Sequence, residues 1–439
     1  MTSDPSFTFE SINSELEIAR THVRQGNLAE AERVYRHVAA GQPDQVEALR
    51  FLANAALSRG DPGEAVTLLS RAAQVDRSNI GVLLELGVAY RSAQRMDEAR
   101  SVFERALESS QGRNTTARLL LANVLEQDNR PEMALLHYFR AILDAQSSGQ
   151  WRDESTTEPG LRQLVQHAMR YVDTSRHDRF GAALEPFKHG INAARLGRID
   201  AALASYLHER AEPPADARQQ PTFLHIPDPE ATCFLDTAAF DWLPDWSARA
   251  SALDGEALAC ISNAMEEAAP TPFSLESMTV PQDSITVPAR ERRIPLCQRG
   301  IYDETIRNLA PGLSRLLDVA PLARIPNYAP NATILALHSG ARTQPYRGRT
   351  NAFCAIAVGF ANSATLQITV GGEPRRLQVG EPLVFDSSFG VEYAATSDEQ
   401  AYALVLETWN PRISPLETDA LTALITSVLD FDSHLQDLA

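Results

Sequence analysis

The hydrophobic and polar positions of the first third of the chain repeat with the period of a helical hairpin. Small residues recur with spacings of 34, 34 and 35 residues, at Ala31, Ala65, Ala99 and Ala134. A bulky residue follows each alanine by four positions, at Tyr35, Leu69, Phe103 and Tyr138. Stacked hairpins require this pattern, because each hairpin buries its apolar face only against its neighbours. The period predicts four helix–turn–helix units over about residues 12–147.

This pattern resembles the tetratricopeptide repeat; a chance amphipathic bundle is the alternative. The resemblance implies an α-solenoid whose concave groove binds a protein or peptide partner. In the frame of that repeat, the first helix of each hairpin faces the groove and places polar side chains there, at Arg20, Arg50, Asn54, Arg91 and Asn123. An amide can hydrogen-bond a peptide backbone and an arginine can pair with a carboxylate. We expect Arg50→Ala with Asn54→Ala to abolish partner capture, unless these are ordinary solvated residues.

The pattern changes after the repeats. Residues 149–219 favour a helical connector, which ends in a proline-rich polar break. From about residue 331, apolar runs of five to nine residues alternate with turn signals, which is typical of a sandwich or barrel. Ser414, Pro415 and Glu417 form a capping box that predicts the start of a final helix. The sequence thus predicts an α+β multidomain protein, with repeats over 1–148, the connector over 149–219 and a third domain over 220–439.

The third domain resembles the aspartyl/asparaginyl β-hydroxylase family. The resemblance rests on the segment from His338 to Phe360, on the FDSSF run at 385–389 and on the strand that ends with residues 407–411. It implies a double-stranded β-helix, which is a cupin-like jelly roll. Members of that family are described as oxygenases that use Fe(II), 2-oxoglutarate and O₂ to hydroxylate a β-carbon. Residues 151–159 also look like the connector of bacterial members that carry repeats in front.

The positions that would carry this chemistry hold other residues. By the resemblance, the two iron-binding histidines correspond to Ala357 and Val391, and the arginine that pairs with 2-oxoglutarate corresponds to Ala401. Three further site positions have also changed, at Phe353, Ala355 and Tyr346. From residue 220 onward the chain has only three histidines, and none falls on a ligand position: His225, His338 and His434. We therefore predict a pseudo-oxygenase with no catalytic residue and no metal, which binds neither Fe(II) nor 2-oxoglutarate at micromolar concentration.

Polar residues remain around the expected mouth of the cavity. They could recognise a peptide or a small anion, and they include Arg347, Arg349, Asn351, Asp386 and Ser388. The alternative is that Asp386 and Ser388 cap a turn while the arginines balance an acidic domain. Cys354 alternates to the strand face opposite Ala357 and is predicted to be a core residue, since no neighbouring histidine would activate it as a nucleophile.

Composition limits the classes of partner and compartment. The formal net charge is −17, which argues against nucleic acid or an anionic membrane as the main partner. Four scattered cysteines suggest free thiols in a reducing compartment. The opening MTSDPSFTFE lacks the features of a targeting segment, and no apolar run is long enough to span a membrane. We expect a cytoplasmic protein.

Three functions stay open at this point. The favoured hypothesis is a non-catalytic binding or regulatory protein, which could act beside an active hydroxylase paralogue. The second is an active peptidyl Asp/Asn β-hydroxylase whose iron is held by unusual ligands. The third is a retooled enzyme, or a binder of small molecules or peptides, that uses the vacated apolar cavity.

Overall fold

The computed structural model describes residues 9–190, 192–228, 230–266, 290–361 and 363–438. The first eight residues, on which the prediction of no targeting segment partly rests, lie outside these ranges, as does part of the predicted hydroxylase-like domain. The chain divides into two compact units, Met1–Ser175 with Phe431–Ala439, and Arg176–Asp430. The division falls inside the predicted connector.

Ion pairs and hydrogen bonds explain why the second half of the connector belongs to the second unit. Arg198 donates from Nε and Nη2 to the two carboxylate oxygens of Glu417, over 2.5 and 2.8 Å. Gln219 donates to Asp386 over 2.7 Å, and both side chains are buried. These contacts join positions about two hundred residues apart in sequence.

The first unit consists of helical hairpins, as the repeat pattern predicted. Its hairpins pair successive helices: α1 (Phe9–Arg24), α2 (Leu28–Gly41), α3 (Val46–Ser58), α4 (Pro62–Val75), α5 (Ile80–Ser92), α6 (Met96–Ser109), α7 (Thr115–Gln127) and α8 (Pro131–Ser147). Helix α9 (Arg162–Leu184) follows them. The tetratricopeptide-type solenoid is therefore confirmed.

The turn inside each hairpin has one shared backbone conformation. The second residue after the first helix adopts a positive φ in every hairpin, at Gly26, Gly60, Gln94 and Asn129. The amide of the next residue then bonds a carbonyl five positions back, as Asp61 does with Ala56 over 2.9 Å. Asp61 also caps the following helix by accepting from the Glu64 amide. Turn chemistry therefore fixes where each helix ends and the next begins.

Small residues allow the two helices of a hairpin to approach closely. The recurring alanines and the bulky residues four positions later are fully or almost fully buried. In the third hairpin the approach leaves no room for a side chain, because a Cβ placed on Gly87 would lie 2.4 Å from the Phe103 ring. The second hairpin has Ala53 and Leu69 at the corresponding positions, and both are fully buried.

The second unit mixes short helices with strands. Its further helices are α10 (Asn192–Arg195), α11 (Gly197–Tyr206), α12 (Leu243–Ser251), α13 (Asp254–Glu266), α14 (Glu304–Leu309), α15 (Pro311–Val319) and α16 (Pro415–Gln436). The last residues of α16, from Phe431 onward, belong to the first unit. Its strands are β1 (Phe234–Leu235), β2 (Glu291–Gln298), β3 (Ile301–Tyr302), β4 (Ala332–Leu337), β5 (Phe353–Gly359), β6 (Leu366–Val370), β7 (Glu373–Leu377), β8 (Leu383–Phe385), β9 (Val391–Ala395) and β10 (Ala401–Trp409). The predicted capping box starts α16, since Glu417 accepts from the Ser414 amide over 2.9 Å.

These strands form two antiparallel sheets. One sheet has the order β1-β8-β5-β10-β4-β2-β3 and the other has the order β7-β6-β9. One apolar core contains residues of both sheets and lies between them. A second core lies between the outer face of the larger sheet and helices α12 to α15. This arrangement is consistent with the predicted double-stranded β-helix, and it gives the larger sheet an inner face that points toward the other sheet.

We predict that Gly87→Ala destabilises the first unit although alanine favours helices. Its methyl group would overlap the Phe103 ring, so the free energy of unfolding should fall by roughly 2 kcal/mol. Urea denaturation of the full chain measures the change. Adding Phe103→Leu, which reproduces the alanine–leucine pair of the second hairpin, should restore most of the loss. An unchanged stability of the single variant would contradict this account of the close approach.

Candidate functional site

Strand β5 has its two faces in two different cores. Ala355 and Ala357 lie in the core between the sheets, whereas Cys354 and Ile356 pack toward the helices. The prediction that Cys354 faces away from Ala357 is thus confirmed. Burial raises the pKa of the Cys354 thiol, so it is a neutral core side chain rather than a nucleophile.

The three positions that would carry the iron ligands and the 2-oxoglutarate arginine lie in one apolar core. Ala357 on β5, Val391 on β9 and Ala401 on β10 all belong to the core between the sheets. Each has 0% exposed surface, so no adjoining space admits even a water-sized probe. The cavity expected at these positions is filled by apolar packing.

The residues at these positions do not fit Fe(II) or 2-oxoglutarate. A non-haem iron site needs imidazole and carboxylate donors that converge on one point, and alanine and valine side chains offer no donor atom. A bound dicarboxylate needs a cationic partner, and Ala401 supplies none. Within the described residues, no group of three or more histidine, cysteine, aspartate or glutamate side chains could hold a metal ion.

Aromatic and charged side chains on the inner face border this apolar core. The Tyr346 and Tyr393 hydroxyls are 3.0 Å apart, and the Arg293 guanidinium lies 5.2 Å from the centroid of the Tyr346 ring. Arg293 also donates to Glu291 over 2.7 Å. Burial raises the pKa of both tyrosines, so their hydroxyls stay protonated. The sequence analysis did not identify Glu291 and Arg293 as site residues, although their two-residue spacing places both on one face of a strand.

Phe353 lies at one end of the inner face. Its ring is 4.8 Å from the Trp409 ring and 5.7 Å from the Tyr328 ring. Glu407 lies two residues before Trp409 on β10, and it pairs with Ala355 of β5. This end of the inner face is aromatic and carries one carboxylate.

The five residues predicted around the cavity mouth do not form one surface. Arg347 is exposed and Arg349 is partly exposed, with its guanidinium 4.5 Å from the centroid of the Tyr328 ring. Asn351, Asp386 and Ser388 are buried instead. This differs from the sequence expectation of a recognition surface.

The three buried residues, Asn351, Asp386 and Ser388, form hydrogen bonds with other groups of the protein. The Asn351 side chain accepts from the Ile226 amide and donates to the Ile226 carbonyl, each over 2.7 Å. Asp386 accepts from the Ser388 amide over 2.9 Å and from its hydroxyl over 2.6 Å. Burial raises the pKa of Asp386. These side chains hold loops against the sheets, which matches the turn-capping alternative for Asp386 and Ser388.

In the first unit, side chains link the first helices of successive hairpins. Arg20 of α1 holds Glu47 of α3 through two hydrogen bonds of 2.9 and 2.6 Å. Arg50 of α3 holds Glu85 of α5 in the same way, over 2.8 and 2.6 Å. Glu85 therefore raises the pKa of Arg50. Two of the three arginines predicted to meet a partner therefore already have a carboxylate partner within the repeats.

Arg91 of α5 differs from these two arginines. Its only hydrogen bond to a described residue goes to the Asn123 amide oxygen of α7, over 2.6 Å. Burial lowers the pKa of Arg91, because a half-buried guanidinium without a carboxylate is poorly solvated. Asn123 is itself buried and donates to the Tyr138 hydroxyl over 3.2 Å, so it is not the exposed amide that the repeat frame predicted.

The hydrogen bonds that start at Arg91 and Asn123 continue through Tyr138 to helix α9. Tyr138 donates to Glu126 over 2.8 Å, and Glu126 lies 2.8 Å from His167 Nε2 of α9. Asn54 is exposed, as a groove residue should be. Of the predicted groove residues, Arg91 and Asn54 are thus the two with capacity left for a partner.

Three family models match the chain. Residues 272–411 match the family model described as Aspartyl/Asparaginyl beta-hydroxylase. Residues 16–79 and 56–113 match two tetratricopeptide repeat models. No match was found among curated proteins. None of the helices in the described part of the chain is both long and apolar enough to cross a membrane.

Several solved structures are similar to part of the chain. MamA MSR-1 is 25% identical, with a TM-score of 0.29, over 31% of this chain and 78% of that one. MamA AMB-1 is 27% identical, with a TM-score of 0.28, over 30% of this chain and 76% of that one. The first repeat domain of Spaghetti (RPAP3), bound to the HSP90 peptide SRMEEVD, is 20% identical, with a TM-score of 0.26, over 28% of this chain and 98% of that one.

The family matches agree with the two kinds of architecture in the described residues, a helical repeat array and a pair of antiparallel sheets. The chain joins tetratricopeptide repeats to a domain of the aspartyl/asparaginyl β-hydroxylase family.

Proposed function

We propose that this chain is a protein-binding module in which the hydroxylase-type domain has lost catalysis. The observation that carries the proposal is the complete burial of Ala357, Val391 and Ala401 in apolar packing. Oxygenase chemistry needs donor atoms and open coordination positions at one point, and this interior offers neither at those positions. An active hydroxylase with unusual ligands is the less favoured reading, since the metal and the co-substrate would both have to bind elsewhere.

The repeats supply the binding function in this proposal. Stacked hairpins expose a continuous concave surface, which such arrays use for extended partners. Most of the charged residues there are paired: Arg20 with Glu47, and Arg50 with Glu85. Arg91 alone among the five predicted groove residues is a cation without a carboxylate partner among the described residues. The groove therefore favours a partner peptide that places an aspartate or glutamate at Arg91.

A partner's carboxylate at Arg91 would gain more than a surface ion pair. The guanidinium is already partly desolvated, so part of the cost of burying the pair is met when the repeats fold. Hydrogen bonds between a guanidinium and a carboxylate are charge-assisted, and they are shorter and stronger than bonds between neutral groups. The hydroxylase-type domain would then act as a second recognition or regulatory surface, and an active hydroxylase of the same architecture is one partner we propose for it.

We predict that Arg91→Gln weakens peptide binding while Arg50→Gln does not. A peptide array of ten-residue sequences identifies binders of the full chain, and fluorescence polarisation then measures affinity for the strongest acidic binder. Arg91→Gln should lower that affinity about tenfold, because one desolvated ion pair is lost. Changing the peptide's acid to its amide should have the same effect on the wild type and little further effect on the variant.

Arg50→Gln is the matched control. It removes a guanidinium on the same helical face that is already paired with Glu85. We expect a loss of stability of up to about 1 kcal/mol and peptide affinity within twofold of wild type. Equal affinities of Arg91→Gln and wild type for every acidic binder would refute the proposed groove. That result would also point to the second unit as the binding surface.

We predict that Ala357→His destabilises the second unit instead of creating a metal ligand. The imidazole would enter a core with no exposed surface, which costs roughly 3 kcal/mol in overpacking and unpaired polar groups. Chemical denaturation checks this, with the exposed Ala239→His as the control for the same chemical change. A stable Ala357→His variant that binds Zn²⁺ more tightly than the control would show that a cavity remains there.

A further inference from the structure

A cavity of about 330 Å³ opens in the second unit, at a place that the proposed function does not use. It lies where residues 363–365, which precede β6, approach residues 376–379, at the end of β7. Ala357, Val391 and Ala401 do not line it, so the cavity is separate from the positions assigned to iron and 2-oxoglutarate. Its volume is at the lower end of the range that small-molecule sites occupy.

Hydrogen bonds to neighbouring segments hold both walls of this cavity. On one side, the Ser363 hydroxyl accepts from the Tyr402 amide of β10 over 2.7 Å. On the other side, the Gln378 carbonyl accepts from the Glu381 amide over 3.2 Å and closes a turn. The walls are thus fixed by the fold, so a ligand would bind without first having to order them.

Three polar side chains that line the cavity have no partner of their own. Arg376, Gln378 and Thr365 are exposed, and their side chains form no hydrogen bond or ion pair with any described residue. A guanidinium, an amide and a hydroxyl can all donate. Among the described residues no aspartate or glutamate lines the cavity, although the whole chain has a formal net charge of −17. The lining therefore favours an anionic group over a cationic one.

The cavity also offers accessible apolar surface. Val379 lines it and is 51% exposed, and Ala364 lines it and is half-buried. Phe360 and Leu366 lie beneath them and are almost completely buried, so they support the floor and add little surface of their own. An anion that also carries a short alkyl group matches this combination of surfaces better than an inorganic ion does.

We propose that this cavity binds a small aliphatic carboxylate, with the carboxylate at Arg376 and the alkyl part against Ala364 and Val379. A guanidinium can hold a carboxylate through two parallel N–H bonds, and Thr365 and Gln378 supply further donors nearby. Because Arg376 is exposed, water and salt weaken the attraction, and we expect a dissociation constant in the millimolar range. The site belongs to the second unit and does not depend on the repeat groove.

The test uses the full chain and three probes that share one alkyl group. Saturation-transfer difference NMR measures the binding of butyrate, of the neutral butyramide and of n-butylammonium at constant ionic strength. We expect saturable binding of butyrate and no saturable binding of the amide or the cation. Absence of saturable butyrate binding at millimolar concentration, or equal binding of butyrate and butyramide, overturns the proposal.

A matched pair of arginine variants locates the site. Arg376→Gln changes an exposed side chain without a partner, so the fold should be unaffected while butyrate binding weakens about tenfold. Arg375→Gln is the control, because strand alternation places this neighbouring exposed arginine on the opposite face, with its guanidinium 4.1 Å from the centroid of the Phe234 ring. We expect the control to bind within twofold of wild type. Equal binding by Arg376→Gln and wild type, or an equal loss in Arg375→Gln, contradicts the assignment.

Ala364→Leu separates the cavity from the arginine alone. The larger side chain would fill part of the space and leave Arg376 in place. Butyrate binding should therefore weaken in this variant as well, with the thermal unfolding midpoint measured beside it. A folded Ala364→Leu protein that binds butyrate as wild type does would show that the anion meets an exposed arginine and not the cavity, which overturns the proposal.

Discussion

Burial of the face between the two sheets is the constraint on which the second unit depends. The strands of the larger sheet turn Ala355, Ala357, Ala401 and Ala403 inward, and the smaller sheet covers them with residues such as Val391. A histidine or arginine introduced there alone would need a metal or a carboxylate to compensate for its burial. Without such a partner, small apolar residues are the stable way to fill the space. Burial of this face therefore accounts for apolar side chains at all of these positions together.

Pairing of charges plays a corresponding role in the first unit. The first helices of neighbouring hairpins are joined by ion pairs that use most of the groove's arginines, such as Arg20 with Glu47. Such pairs set the register between repeats at a modest gain in stability, because they are partly exposed. They also remove those arginines from recognition. In the proposed function, partner recognition therefore depends on the arginine without a carboxylate partner among the described residues, which is Arg91.

The sequence predicted the architecture well and the polar sites less well. The fixed offsets of Ala31, Ala65, Ala99 and Ala134 predicted the hairpins because stacking requires small residues at those points. Two-residue alternation likewise placed Ala357 and Cys354 on opposite faces of β5 correctly. Both patterns are regular spacings along the chain, so they can be recognised in a single sequence.

The polar sites depend on contacts between distant positions, which a single sequence does not display. Nothing near Arg50 in the sequence shows that Glu85 holds it, since the two residues are separated by a whole repeat. Asn351 and Asp386 were expected at a cavity mouth, but loops fold back over them and use them as backbone anchors. Glu291 and Arg293 were missed because the meaning of their spacing depends on which face of β2 points inward.

The proposed loss of oxygenase chemistry is tested most directly by the affinity of the full chain for Fe(II) and 2-oxoglutarate. Anaerobic equilibrium dialysis measures the iron bound per chain with and without 2-oxoglutarate, and succinate formation is followed after air is admitted. The account predicts no stoichiometric iron and no specific 2-oxoglutarate binding at micromolar concentration. One equivalent of iron, together with succinate that forms only when 2-oxoglutarate is present, would contradict it.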